Sequence, residues 1–256
     1  MISLKHALLT ILVFLGLIMV TVPIHAQNNP YVDDKLLHFG FFLGTTFSSY
    51  AIEERSAENQ IKLNKNDTTY HARVSAPAMG VAVGFVSDLR LTRYLSLRFC
   101  PALQFVPGTT ITYTSDQLAA NDIRGNACSN NKPSILSLPI SVPLYLKWSA
   151  EREMNYRPYV MAGGGMTYDV VLDKTKCVVL PKPFDCFIEV GLGCDFYFRW
   201  FKFCPELRYR IGLLNVVTSL KEGEEKGWVP APDDRFYTNA IRSMTNQQIS
   251  LIFNFE

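Results

Sequence analysis

Between residues 184 and 217 the chain alternates with period two. Ile188, Val190, Leu192, Cys194, Phe196, Phe198 and Trp200 fall on one side of an extended backbone, and Glu189, Gly191, Gly193, Asp195, Tyr197 and Arg199 on the other. After a turn at Phe201-Lys202 the alternation resumes. Phe203, Pro205, Leu207, Tyr209, Ile211 and Leu213 then oppose Cys204, Glu206, Arg208, Arg210 and Gly212. Pairing Trp200 with Phe203 predicts a hairpin with Tyr197 opposite Glu206 and Asp195 opposite Arg208. A soluble sheet would bury its bulky face and would not need glycines on the wet one. A narrow closed barrel in a membrane reverses this: bulky side chains meet lipid, while small and ionisable residues share a cramped lumen.

The same alternation recurs along the chain. Strands are predicted at 38–52, 76–86, 95–105, 136–148, 157–172 and 245–256, each except 157–172 with a bulky row against a smaller or polar one. In 157–172 the Gly163-Gly164-Gly165 run leaves the facing open. In 136–148, seven apolar positions in strict alternation outweigh Pro139 and Pro143, which predict irregular local pairing. With the hairpin this makes eight strands. Their connections alternate between long loops (53–75, 107–133, 173–185 and 218–244) and short turns (87–93, 150–156 and the hairpin turn). Strand character extends into the second loop over 109–114. The expected fold is therefore all-β, a single eight-stranded antiparallel up-and-down transmembrane β-barrel with periplasmic termini and long outer loops. A soluble lipocalin-like barrel or sandwich would need the opposite facing.

The N-terminus sharpens the picture. Lys5 precedes an apolar run from Ala7 to about Ile24, and Ile24-His25-Ala26 before Gln27 fits a signal-peptidase site. The expected organisation is a signal peptide at 1–26, cut between Ala26 and Gln27, then a barrel domain at 27–256 in the outer membrane. Cleavage removes Lys5 and leaves 24 basic against 23 acidic residues, a net charge of +1. That balance, with no Lys/Arg block, argues against a nucleic-acid partner. No later apolar run is long enough for a spanning helix. Mean hydropathy of +0.07 suits strands with half their residues facing a lumen.

The candidate site is the inner row. Arg98, Glu189, Asp195, Glu206, Arg208 and Arg210 are expected to form a mutually neutralising charge ladder, because an unpaired charge in a dry interior costs on the order of several kcal/mol. A proton path, gate or polar binding site is the functional alternative. No enzyme is predicted: His38 and His71 are the only histidines beyond the leader, and neither has a triad or metal-ligand spacing. Arginines neighbouring Asp195 and Glu206 argue against acid/base work. No metal, cofactor or small-molecule substrate is expected. The six cysteines contain no C-x-x-C. Cys128, Cys177 and Cys186 fall in or beside outer loops, where the compartment permits a disulfide; Cys177 with Cys186, or either with Cys128, and no disulfide at all remain open. Cys100, Cys194 and Cys204 lie within strands, and Cys194 faces away from Cys204.

Five stretches carry a family resemblance: VDDKLLHFGFFLG at 32–44, GFVSDLRLTRYLSLRFCPALQF at 84–105, RPYVMAGGG at 157–165, FIEVGLGCDFYFRWFKFCPELRY at 187–209 and SMTNQQISLIFNF at 243–255. In these the chain resembles the PorT family of outer-membrane barrels of the Bacteroidetes, linked to type IX secretion and gliding motility. The resemblance implies a barrel in outer-membrane lipid that supports protein export or maturation through contacts with secretion-machinery proteins, and it supplies no catalytic residues. The alternative is a structural or adhesive barrel of the OmpA/OmpX type, working through its outer loops.

Overall fold

A ring of eight antiparallel strands closes where β1 (Leu37–Glu54) pairs both β3 (Ala78–Arg90) and β12 (Ile241–Phe255). From β12 the ring runs through β11 (Lys202–Gly212), β10 (Phe184–Tyr197), β9 (Tyr156–Val171) and β8 (Leu136–Ser149). It returns to β3 through β4 (Leu95–Phe99) and β5 (Ala102–Pro107), two halves of one staave-like wall position. This computed structural model describes residues 35–64, 69–107, 109–115, 123–126, 136–171, 179–225 and 235–256. The expected leader and its Ala26-Gln27 cleavage point lie outside the described residues.

Side-chain facing follows the alternation. Ile188, Val190 and Leu192 on β10 are exposed, while Glu189 and Asp195 are buried; Leu207, Tyr209 and Ile211 on β11 are exposed, while Glu206, Arg208 and Arg210 are buried. On β9, whose facing the sequence left open, Tyr159, Met161 and Thr167 point inward and Val160, Met166 and Tyr168 outward. Glycine is required where walls and side chains approach closely. A Cβ on Gly163 would lie 2.1 Å from the Leu144 carbonyl oxygen, and one on Gly193 would lie 2.6 Å from the Tyr159 ring.

Two expectations about strands are corrected, and a third is met on one side of its strand. The β10–β11 turn is Phe198–Phe201, closed by the Phe198 N–H donating to the Phe201 carbonyl at 3.0 Å, so Tyr197 faces Lys202, Gly193 faces Glu206 and Gly191 faces Arg208. The slip from the predicted register is even, so no side chain changes face. The strand predicted at 95–105 breaks at Cys100-Pro101, because proline has no N–H for the ladder. The register is unchanged across the break, with Phe99 paired to Leu144 and Ala102 to Ser141. The prolines of β8 sit within continuous pairing to β9, Pro139 opposite Asp169 and Pro143 opposite Gly165. On the other side the pairing skips the positions opposite both, between Leu103 and Val106 and between Phe99 and Ala102, which is the local irregularity expected.

The long outer connections are folded rather than plain loops. Residues 53–76 contain α1 (Ala57–Asn64) and β2 (Tyr70–Ala76); β6 (Thr110–Ser115) and β7 (Ile123–Asn126) complete a three-stranded sheet with β2. Residues 218–240 contain α2 (Leu220–Glu225) and α3 (Arg235–Ala240), so β12 starts at Ile241 rather than 245. Ser56 caps α1, its carbonyl accepting from the Asn59 and Gln60 N–H groups. Buried Gln60 then ties helix to sheet: its Nε2 donates to the Arg55 and Tyr70 carbonyls, and its Oε1 accepts the Tyr70 N–H at 3.0 Å. Glu54 at the end of β1 accepts the Ala72 N–H at 3.1 Å and lies 2.8 Å from Nδ1 of His71. Ala72, Ile111, Tyr113, Val179, Val216, Val217, Ile241 and Met244 form a buried apolar core between these pieces and the barrel end.

Two substitutions test the facing. Gly193→Phe places a ring where Tyr159 already stands and is expected to abolish the folded, heat-modifiable gel band. Val190→Phe, on the lipid side, is expected to leave that band intact. A folded Gly193→Phe protein would show that this row does not line the lumen.

Candidate functional site

Among the described residues, ionisable groups converge in the barrel interior, and the alternation of six strands delivers them there. All six residues expected in the ladder, Arg98, Glu189, Asp195, Glu206, Arg208 and Arg210, have their side chains in the lumen, each no more than 6% exposed. Asp88, Lys147, Lys202 and Glu256 join them.

The network has three levels. Nearest the chain termini, the Lys147 Nζ lies 2.8 Å and 3.1 Å from the two Asp195 carboxylate oxygens and 3.6 Å from Asp88. Lys202 pairs with the Glu256 carboxylate and lies 3.9 Å from Asp195. One level further in, Arg98 reaches three carboxylates: Asp88 through Nη2 at 2.8 Å and Nε at 3.1 Å, Glu256 at 2.7 Å, and Glu206 across the lumen. Glu206 also accepts from Arg208 Nε at 2.7 Å and from the Tyr159 hydroxyl at 2.5 Å. Towards the outer end, Glu189 accepts from Arg210 Nε at 2.5 Å and from the Tyr145 hydroxyl at 2.7 Å.

Aromatic faces cover the cations. Lys147 sits 3.9 Å above the Tyr159 ring, Arg98 5.4 Å from the same ring, and Arg210 3.8 Å from the Phe187 ring. An apolar cluster of Phe42, Ala82, Val86, Cys100, Ala102, Met161 and Ile252, with Tyr145, packs in the same lumen, the Arg208 guanidinium lying 5.7 Å from the Phe42 ring. Five cations therefore meet five carboxylates in a space that side chains fill.

The pairings differ from those the sequence suggested. Arg208 serves Glu206, with Glu189 at 3.8 Å, while Asp195 is held by lysines. Asp195 and Glu206 thus do not share a proton-bearing pair; each faces its own cations. The four additional members carried a readable signal, since Asp88, Lys147, Lys202 and Glu256 all continue the inner-row parity of their strands. Asp88 and Lys202 were assigned to turns, and strand extension to Arg90 and back to Lys202 places them in the wall.

The remaining candidates separate. Cys186 is a free thiol on the outward face opposite Met166; Cys128 and Cys177, the other members of the expected pairings, lie outside the described residues. Cys100 and Cys204 are free and buried in the lumen, and Cys194 is free and half-buried on the other face. Among the described residues no group of three or more His, Cys, Asp and Glu side chains could hold a metal ion. At the terminal end, outside the wall, the Tyr94 hydroxyl donates to Glu151 at 2.7 Å, linking two turns, and that hydrogen bond raises the Tyr94 pKa.

Residues 25–217 match the family model of the outer membrane protein beta-barrel domain. No curated protein matches the chain. Among solved structures, the crystal structures of Neisserial surface protein A and of the outer membrane protein OprG from Pseudomonas aeruginosa are similar in outline. Both are 11% identical with a TM-score of 0.41, over 86% of this chain and 98% and 92% of theirs.

Arg98→Ala leaves three carboxylates short of a partner. It is expected to cost about 3–5 kcal/mol of unfolding free energy, read from the urea midpoint of the detergent-solubilised barrel. Arg208→Ala is expected to cost less, because Glu206 keeps Arg98 and Tyr159. An unchanged midpoint for Arg98→Ala would show that the network is not structural.

Proposed function

The chain belongs to the outer membrane protein beta-barrel family, and from that premise we propose that it is a closed, non-conducting and non-enzymatic barrel that works by presenting contact surfaces to other proteins. The observation that carries this reading is the combination of a lumen filled by five ion-paired cations and five carboxylates with an outer end covered by a cap that has its own apolar core. Solute passage would require breaking those pairs, and an unpaired buried charge costs on the order of several kcal/mol. Protein substrates are far too wide for an eight-stranded ring. The working surfaces are then the cap and the short turns at the opposite end.

In the finer reading the chain is an accessory component of type IX protein secretion, as its resemblance to the PorT family implies. That resemblance supports it through five stretches spread over both termini. The inner-row charges serve to hold the barrel closed, and the partners are proteins of the export machinery. A structural or adhesive barrel of the OmpA/OmpX type has equal physical support from the same cap.

Two measurements test these layers separately. Purified barrel in planar bilayers is expected to show no stepwise conductance; regular single-channel steps would refute the closed barrel. Deleting the gene in its own host and comparing secreted with periplasmic proteomes tests the export role. Retention in the periplasm of proteins bearing type IX C-terminal signals is expected, and unchanged export would leave the structural or adhesive reading.

A further inference from the structure

Beside the entry of β1 and the β10–β11 turn, the barrel rim at the terminal end carries a groove of about 270 Å³. Its wall combines two kinds of side chain. Trp200, Phe39 and Phe201 are exposed on the lipid side, Trp200 to 84%. Lys35 and Arg199 stand exposed at the same edge. The floor holds Lys202 and Glu256, but these are buried and paired with each other, so their fields largely cancel. Lys35 and Arg199 have no carboxylate partner among the described residues; the Arg199 guanidinium instead lies 5.2 Å from the Trp200 ring. Half-buried His38 also borders the groove and adds positive charge when protonated. The edge is therefore net positive.

Below this edge runs a lipid-facing aromatic stripe. Phe41 stacks on Phe255 at 5.2 Å, and Phe203 and Phe201 lie 5.4 Å and 6.2 Å from the same ring. We propose that the groove binds an anionic glycerophospholipid of the periplasmic leaflet, with its phosphate on Lys35 and Arg199, its glycerol region beside Trp200 and its acyl chains along the phenylalanine stripe. Basic and aromatic side chains with these positions suit the boundary between headgroups and hydrocarbon. The stripe favours a lipid over a free phosphate, since only a lipid gains from both the cations and the apolar surface beneath them.

The test uses the full mature chain in nanodiscs of equal phosphatidylglycerol and phosphatidylethanolamine, with retained lipid identified by native mass spectrometry. About tenfold enrichment of phosphatidylglycerol is expected. Lys35→Glu with Arg199→Glu should erase it, while Lys35→Arg with Arg199→Lys should keep it; heat modifiability confirms that each variant is folded. Equal retention of both lipids, or unchanged enrichment in the glutamate pair, overturns the proposal. Displacement of the bound lipid by inorganic phosphate alone would also overturn it, since the site would then be one for a free anion.

Discussion

An eight-stranded ring is too narrow to hold a column of water, so everything that points inward must fit, and every inward charge must find an opposite one. This constraint explains the glycines and the ions together. The inner row needs small residues where a carbonyl or a large side chain crosses, as at Gly163 against Leu144 and Gly193 against Tyr159. The space so freed is taken by long side chains that span the lumen. Small and ionisable residues therefore share one face, which no water-exposed sheet face would require.

The network also links parts of the ring that never pair as strands. Arg98 on β4 reaches Glu206 on β11 across the lumen, Asp88 on the adjacent β3 and Glu256 at the end of the chain. Burying charges does not by itself stabilise a protein, because desolvation offsets the attraction. Its stronger effect is on specificity: a strand placed two residues out of register keeps its facing but strands a carboxylate opposite the wrong neighbour. Glu256 adds the closing seam to this arrangement, since it directly follows β12, the strand that pairs with β1, and its side chain is held by Arg98 and Lys202.

How much of this the sequence reveals depends on the length scale of the signal. Period-two alternation is local, so the eight wall strands, the facing of all of them but the glycine-rich β9, and the six ladder residues Arg98, Glu189, Asp195, Glu206, Arg208 and Arg210 could be read directly. Register is not local. The β10–β11 pairing depends on which residues close the turn, and four consecutive residues, Phe198 to Phe201, offered no glycine or asparagine to mark it. Partner choice across the lumen is less local still: nothing between Lys147 and Asp195 in sequence announces their contact. Of the folded outer connections, the sequence showed only the strand character at 109–114, realised as β6. The rest of their order comes from a capping serine, a buried glutamine and an apolar core assembled from five separate segments, which no local period announces.

The two ends of the barrel are built differently, and that difference bears on what the molecule does. Three short turns close the terminal end, held by local hydrogen bonds such as that from Phe198 to Phe201 and by side-chain links such as that from the Tyr94 hydroxyl to Glu151. The outer end holds a sheet, helices and a buried core in which Ile111, Val179 and Met244 are fully enclosed. A barrel that only needed to remain closed could end in equally short turns there, because the ion-paired lumen already blocks passage. The cap fixes a shaped surface outside the membrane, anchored to β1 through Glu54 and to β12 through Met244. Shape held by a core is what recognition of another macromolecule uses and what simple closure does not, so the cap is where a partner surface is to be sought.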